Sequence, residues 1–361
     1  MQITNLFKKF FYSFFSILFI GTSAQALSLH KTSVILDAPW GMTWLDENHL
    51  LITQKSGEIF KVNTQDFSQT PIKHNIPSVQ YGQGGMLDII SEENNVWVTC
   101  SIEKDGKYTT AIYYAELSGD NLVNEEMIYE ALPYIKSPYH FGSRLEIKGE
   151  YLYASIGERG EGMIAQDPTN SIGTIIRIHK NGDIPNDNPY LNNPNWLPEI
   201  YQIGVRNPQG MSLDPLSEDI FISNHGPKGG DFIGPVLAGT NYGWKKIGWG
   251  GTNYSGTKVG DGNAWEPGFL KPDFIWVPSI GVGGIKFYQG KAFPDWQNSL
   301  LVGSLKYQYL SVLHRENNKF IKEELIFKNE IGRVRDLEIN DFGEVFLIAD
   351  ELDSNLFILK P

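Results

Sequence analysis

The chain has 361 residues, 41% of them hydrophobic and 13% aromatic, with 37 glycines and 19 prolines. That is enough apolar material for one large all-β domain or two smaller ones, and the glycine content suits many tight turns. The 30 Lys and Arg residues against 42 Asp and Glu give a net charge of −12, which argues against nucleic acid or an anionic membrane surface as a partner.

In chain order, the first feature reads as an export signal. Lys8 and Lys9 precede an apolar run over residues 10–20, and Ala24-Gln25-Ala26 supplies small residues at a cleavage site. The run is shorter than the about 20 apolar residues that a spanning helix needs. A signal peptide over residues 1–26 and a periplasmic or secreted mature chain are expected, with no stable membrane insertion after cleavage; an uncleaved anchor is the alternative. Cys100 is the only cysteine, so an exported chain would be held by its core or by bound ions rather than by an internal disulfide. It follows the run VWVT and reads as an inert core residue.

Beyond the signal, helical periodicity is scarce and short β-branched and aromatic runs recur. LLIT (50–53), VWVT (96–99), LYAS (152–155), IFIS (220–223), LLVG (300–303) and VFLI (345–348) are alike in character. Several lead into a further strand, as in GEIFKVN (57–63), AIYYAEL (111–117), TIIRIHK (174–180) and NLFILK (355–360). Continuous apolar runs, rather than strict alternation, suit strands buried on both faces. Six such recurrences predict a six-bladed β-propeller, with a large sandwich as the competing all-β form. No low-complexity linker divides the chain, so residues 27–361 read as one domain. The longest interval, residues 156–219, carries polar loops of the kind that hold function on a rigid scaffold.

Polar candidates cluster in a few short stretches. They are Gln83 in YGQGGMLDI, His140 in YHFGSRLEI, Arg206 and Asn207 in GVRNPQG, Lys306 in VGSLKYQYL, and Arg333 with Arg335 in GRVRDLEI. Period-two spacing puts Arg333 and Arg335 on one strand face. They repel unless an anion joins them, whether a bound group or a carboxylate such as Asp336, Glu338 or Glu344. NHGPKGGDF (224–232) has the glycines of an anion cradle, but no helical pattern follows, as a phosphate loop would require.

Taken in order, stretches along nearly the whole mature chain resemble the soluble PQQ-dependent aldose sugar dehydrogenases, relatives of soluble glucose dehydrogenase. They include LDAPWGMTWL (36–45), GQGGMLDI (82–89), YHFGSRLEI (139–147), PEIYQIGVRNPQGMSLDP (198–215), NHGPKGGD (224–231), WVPSIGVGGIKFY (276–288), AFPDWQNSLLVGSLK (292–306) and GRVRDLEI (332–339). The family's fold is a six-bladed propeller. The resemblance implies that His140 is the general base on the sugar C1 hydroxyl. Gln83, Arg206, Asn207, Tyr254, Lys306, Arg333 and Arg335 match groups that hold PQQ, a planar cofactor with carboxylates well suited to arginine forks. Arg206 would also meet the charge that hydride transfer delivers to the quinone. The carbonyls of Gly226 and Pro227 match those that bind the cofactor's calcium, a hard cation that takes oxygen ligands.

Three departures matter. Glu158 in IGERG stands where the family has an aspartate near the catalytic histidine. Phe232 replaces a glutamate that, with a tyrosine matching Tyr242, serves a second, structural calcium. The loop before Tyr254 is one residue longer. The expected function is oxidation of an aldose to a lactone, with electrons passed to an external acceptor. Its competitors are a non-catalytic propeller that binds a glycan or protein, and a metal-dependent lactonase on a propeller.

Overall fold

The computed structural model describes residues 27–361, and the expected signal segment lies outside them. Six antiparallel sheets follow one another along the chain, four with four strands and in simple up-and-down order. The first spans residues 39–72, the second 86–130, the fourth 208–276 and the fifth 282–326. The third, from Gly142–Lys148 to Ile200–Ile203, gains a short parallel strand, Thr240–Asn241, at its outer edge. In the sixth, the last strand Ser354–Lys360 pairs antiparallel with the first, Ser28–Leu36, from Ser28 opposite Lys360 to Leu36 opposite Ser354. The chain ends thus close the ring in one blade. The architecture is a six-bladed β-propeller, and among the described residues the only helical elements are two 3-10 turns, Gly162–Gln166 and Pro294–Trp296.

Each of the six recurrent runs falls on the second strand of its blade: His49–Gln54, Asn95–Lys104, Tyr151–Ile156, Ile220–Asn224, Leu300–Ser304 and Val345–Ala349. These strands have neighbours on both edges and a blade packed on either face, so nearly every residue is buried. That is why they lack the alternation of a half-solvated sheet. Cys100 lies in this core, where burial pushes its thiol up to about 12.

The innermost strands meet around the axis, and Arg144 spans it. Its Nη1 donates to Asp88 Oδ1 of the second blade at 2.9 Å and to Asp336 Oδ2 of the sixth at 2.7 Å. Its Nε donates to the Gln209 carbonyl of the fourth at 3.1 Å. Asp336 Oδ2 also accepts from Met42 N of the first blade. Gly284, from the fifth, has no room for a side chain, since a Cβ there would fall 2.1 Å from Asp336 Oδ1. All six blades therefore touch one ionic cluster. Below it a cavity of about 260 Å³ carries a second pair, Lys286–Glu338, 2.8 Å apart. Above it the Arg144 guanidinium lies 4.5 Å from the Trp40 ring centre.

Arg144→Met leaves two buried carboxylates unpaired, and unfolding in denaturant is expected to show a loss of about 3–5 kcal/mol. Burial raises the Asp88 carboxyl to about 7 even against the Arg144 charge. Without the Arg144 charge that value moves higher still, so the loss should shrink as pH falls toward about 7 and level off below it, where Asp88 is protonated in both proteins. A loss that does not depend on pH would contradict this account.

Candidate active site

The site sits at the end of the propeller above Trp40, on loops that enter innermost strands, which carry Gln83, His140, Arg206 and Arg333, and on loops between second and third strands, which carry Glu158, Gly226, Lys306 and Asp350. His140 stands two residues before the strand Gly142–Lys148 and has a left-handed backbone, φ 52°, a conformation that a non-glycine residue adopts only when its surroundings enforce it. Gln83 Oε1 accepts from its N–H at 2.8 Å, and its carbonyl accepts from Arg159 N at 3.2 Å. Gly157 passes directly beneath, where a Cβ would fall 2.1 Å from the His140 carbonyl oxygen. These contacts fix the ring, and its Nδ1 is hydrogen-bonded to Glu158 Oε1. The Glu158 side chain is nearly inaccessible, and its other oxygen accepts from Gly162 N at the start of the 3-10 turn.

Burial lowers the pKa of His140, with the Arg206 and Arg159 charges adding to it and Glu158 opposing them. Burial pushes Glu158 up, but the bonds from His140 and Gly162 and the Arg206 charge hold it below the ordinary glutamate value. The result is a neutral imidazole near pH 7. With Nδ1–H donating to an ionised carboxylate, Nε2 carries the free lone pair.

Cations crowd the other side. Arg206 N and Asn207 N both donate to Asn224 Oδ1 at 3.0 Å, which turns the RN pair into the site. Arg206 is buried, its Nη1 donates to the His225 carbonyl at 3.3 Å, and its guanidinium lies 5.4 Å from the Trp244 ring centre. Asn207 Oδ1 accepts from Gly142 N at 3.0 Å. Lys306, Arg333, Tyr254, Gly226 and Pro227 line one cleft of about 440 Å³ together with His225 and Asp231. Arg335 lies below it, 5.6 Å from the Trp40 ring centre, with its Nε buried and unpartnered.

The anion that joins Arg333 and Arg335 is Asp350. Its Oδ2 accepts from Arg333 Nη2 at 3.3 Å and from Arg335 Nη2 at 2.6 Å. The three carboxylates considered from sequence are engaged elsewhere: Asp336 with Arg144, Glu338 with Lys286 and Glu344 with Lys360. Asp350 directly follows the strand Val345–Ala349, and its N–H donates to the Arg333 carbonyl at 2.9 Å. Pairing register placed it there, and no sequence spacing pointed to it. Sequence reasoning also passed over Lys55, whose pKa is lowered by burial and by the Arg335 and Arg333 charges, and His225, whose Nε2 is buried without a partner.

The glycine-rich stretch forms a loop held from below by Asp231. Its Oδ1 accepts from Gly226 N at 2.8 Å, and its Oδ2 from Gly281 N and Val282 N at 2.7 and 3.1 Å. The carbonyls of Gly226 and Pro227 accept no hydrogen bond from the described residues. Tyr242 is not part of the cleft. It is fully buried against Phe232, and its hydroxyl donates to the Pro235 carbonyl at 2.7 Å.

The geometry is that of a six-bladed propeller with a histidine–carboxylate pair facing a cleft lined by Lys306, Arg333 and Lys228 at one end. Comparison with known sequences identifies the family. The sequence model of the Glucose / Sorbosone dehydrogenase family matches residues 36–358, and the chain belongs to that family. It is 33% identical over 90% of its length to "Aldose sugar dehydrogenase YliI" of Escherichia coli (strain K12), covering 91% of that protein. The apo-form crystal structure of the soluble aldose sugar dehydrogenase from Escherichia coli superposes with a TM-score of 0.88 at 31% identity, covering 93% of this chain and all of that one. The PQQ-bound aldose sugar dehydrogenase of Streptomyces coelicolor shares the fold, with a TM-score of 0.74 at 20% identity over 93% of this chain and 98% of that one.

In the cofactor-free protein, NMR titration of His140 should give a midpoint below the ordinary 6.5. Glu158→Gln should lower it further by removing the acceptor that favours imidazolium, and Arg206→Gln should raise it. A midpoint that Glu158→Gln leaves unmoved would disconnect the two side chains.

Proposed function

We propose that the protein oxidises the C1 hydroxyl of aldose sugars to lactones with PQQ and calcium, and passes the electrons to an external acceptor. The observation that carries the reading is the oriented His140–Glu158 pair beside a cation cluster with too few internal anions. Of Arg206, Lys306, Arg333 and Arg335, only the two arginines joined by Asp350 make an ion pair among the described residues. The orphaned Arg335 Nε and the free carbonyls of Gly226 and Pro227 fit a group with carboxylates and a coordinated cation.

On this reading Lys306, Arg333 and Arg335 hold the cofactor's carboxylates. Gln83 and Asn207 already use their side-chain oxygens on His140 N and Gly142 N, so each offers its amide N–H groups. Tyr254, largely exposed at the cleft, closes its outer side. The Gly226 and Pro227 carbonyls would hold the calcium, on a loop whose Gly226 N–H is fixed by Asp231. Bound PQQ supplies the two-electron acceptor for the hydride that leaves C1. His140 receives the C1 hydroxyl proton at Nε2 as that hydride departs, and Glu158 steadies the imidazolium that results. Arg206 places a preorganised positive charge beside the reacting centre. The apolar run and Ala-Gln-Ala of residues 10–26 support export of the chain to the periplasm or beyond.

Protein loaded with PQQ and Ca²⁺ should reduce an artificial acceptor when an aldose is added. Failure with every aldose, and no cofactor absorbance after loading, would refute the proposal. His140→Ala should lower turnover by about 10²–10⁴-fold while still retaining PQQ. Lys306→Ala and Arg335→Ala should each weaken PQQ binding by about 10–100-fold, the loss of one charge-assisted contact. Unchanged affinity would remove these residues from the cofactor site.

A further inference from the structure

The second calcium implied by the family resemblance needs a carboxylate at position 232 beside Tyr242, and the residues present do not fit one. Phe232 is fully buried, with its ring centre 4.6 Å from Tyr242 and 4.7 Å from Trp249. Possible oxygen ligands are already occupied. The Tyr242 hydroxyl donates its proton to the Pro235 carbonyl, and the Tyr242 carbonyl accepts from Trp249 Nε1 at 3.0 Å. Asp273 is the carboxylate that Tyr242 senses, but it is exposed and makes no bond to the hydroxyl. Among the described residues no three His, Cys, Asp or Glu side chains converge as metal ligands.

The same contacts form a continuous path to the active site. Trp249 stacks on Trp244 at 5.5 Å and 18°, and the Trp244 ring lies under the Arg206 guanidinium. Phe232 belongs to the strand Asp231–Pro235, whose first residue holds the Gly226 loop. Trp244 and Trp249 bracket the segment that packs over it.

We infer that the aromatic stack Phe232–Tyr242–Trp249–Trp244 replaces the second calcium, tying the loop after Thr240–Asn241 to the fourth blade and backing Arg206. Packed apolar area does here what metal–oxygen bonds would do, at a position where an ion would have to displace buried rings. The assignment of Arg206 to the cofactor site rests on the proposed function; the absence of a metal at Tyr242 does not.

Calcium per chain decides it, measured by atomic emission after gel filtration through metal-free buffer, with PQQ counted by absorbance. At most one calcium per chain is expected, with or without PQQ, and two per chain would overturn the inference. A chain that takes no PQQ but at most one calcium would refute the cofactor reading and leave the aromatic stack standing. Phe232→Leu should lower the melting temperature by roughly 2–6 °C, with no recovery in added Ca²⁺. Full recovery in Ca²⁺ would show that an ion, rather than the ring, secures this loop. Because Trp244 backs Arg206, Trp244→Leu should weaken PQQ binding several-fold and Trp244→Phe should restore most of it. If Leu and Phe were equivalent, the stack would not support the site.

Discussion

One guanidinium on the propeller axis organises the rest of the molecule. Six blades that converge on a line leave a channel, and an apolar plug could not satisfy the backbone N–H groups that innermost strands present there. Arg144 bridges Asp88 and Asp336 through a single nitrogen, Nη1, while those carboxylates accept the N–H groups of Leu145 and Met42. The charges are buried, so each is tolerable only because the others are present. Trp40 then separates this closed cluster from the open site, with Arg144 4.5 Å and Arg335 5.6 Å from its ring centre.

Above that floor the protein gathers positive charge. The cluster is held by geometry rather than neutralised: Asp350 bridges two arginines, and Arg206 leans on an aromatic ring and a carbonyl. Clustered like charges of this kind repel one another, and on the proposed function an anionic cofactor would relieve that repulsion. The cluster also serves His140, since nearby cations and burial keep the imidazole neutral while Glu158 fixes which nitrogen is free. The chain's net charge of −12 hides this local excess, to which Arg206 is brought from a blade distant in sequence from Lys306, Arg333 and Arg335.

Much of the architecture was legible beforehand. LLIT, VWVT and their four counterparts are continuous apolar runs because strands flanked on all sides leave no polar face, so they marked the six blades. The stretches around His140, Arg206, Lys306 and Arg335 were legible as candidates through the family resemblance, since each alone is a polar residue near a strand end with an ordinary structural reading. Partners were harder to read. Arg335 could have met Asp336 or Glu338 on spacing alone, yet a register shift between Val334 and Asp336 accompanies a split in which Asp336 and Glu338 join the axial cavity and Arg335 reaches Asp350. Tyr242 carried a metal expectation that depended on residue 232, and the buried Phe232 ring turned that place into core.

The sequence by itself determined the number of blades and offered the candidate site residues, because apolar periodicity and residue chemistry are local properties. Only the tertiary structure decided which charges meet. It put Asp350 between two arginines, Glu158 against Nδ1 of His140 and Arg144 across the axis. Each of those contacts joins strands or loops whose separation is set by pairing register and ring closure, and these are properties of the folded whole.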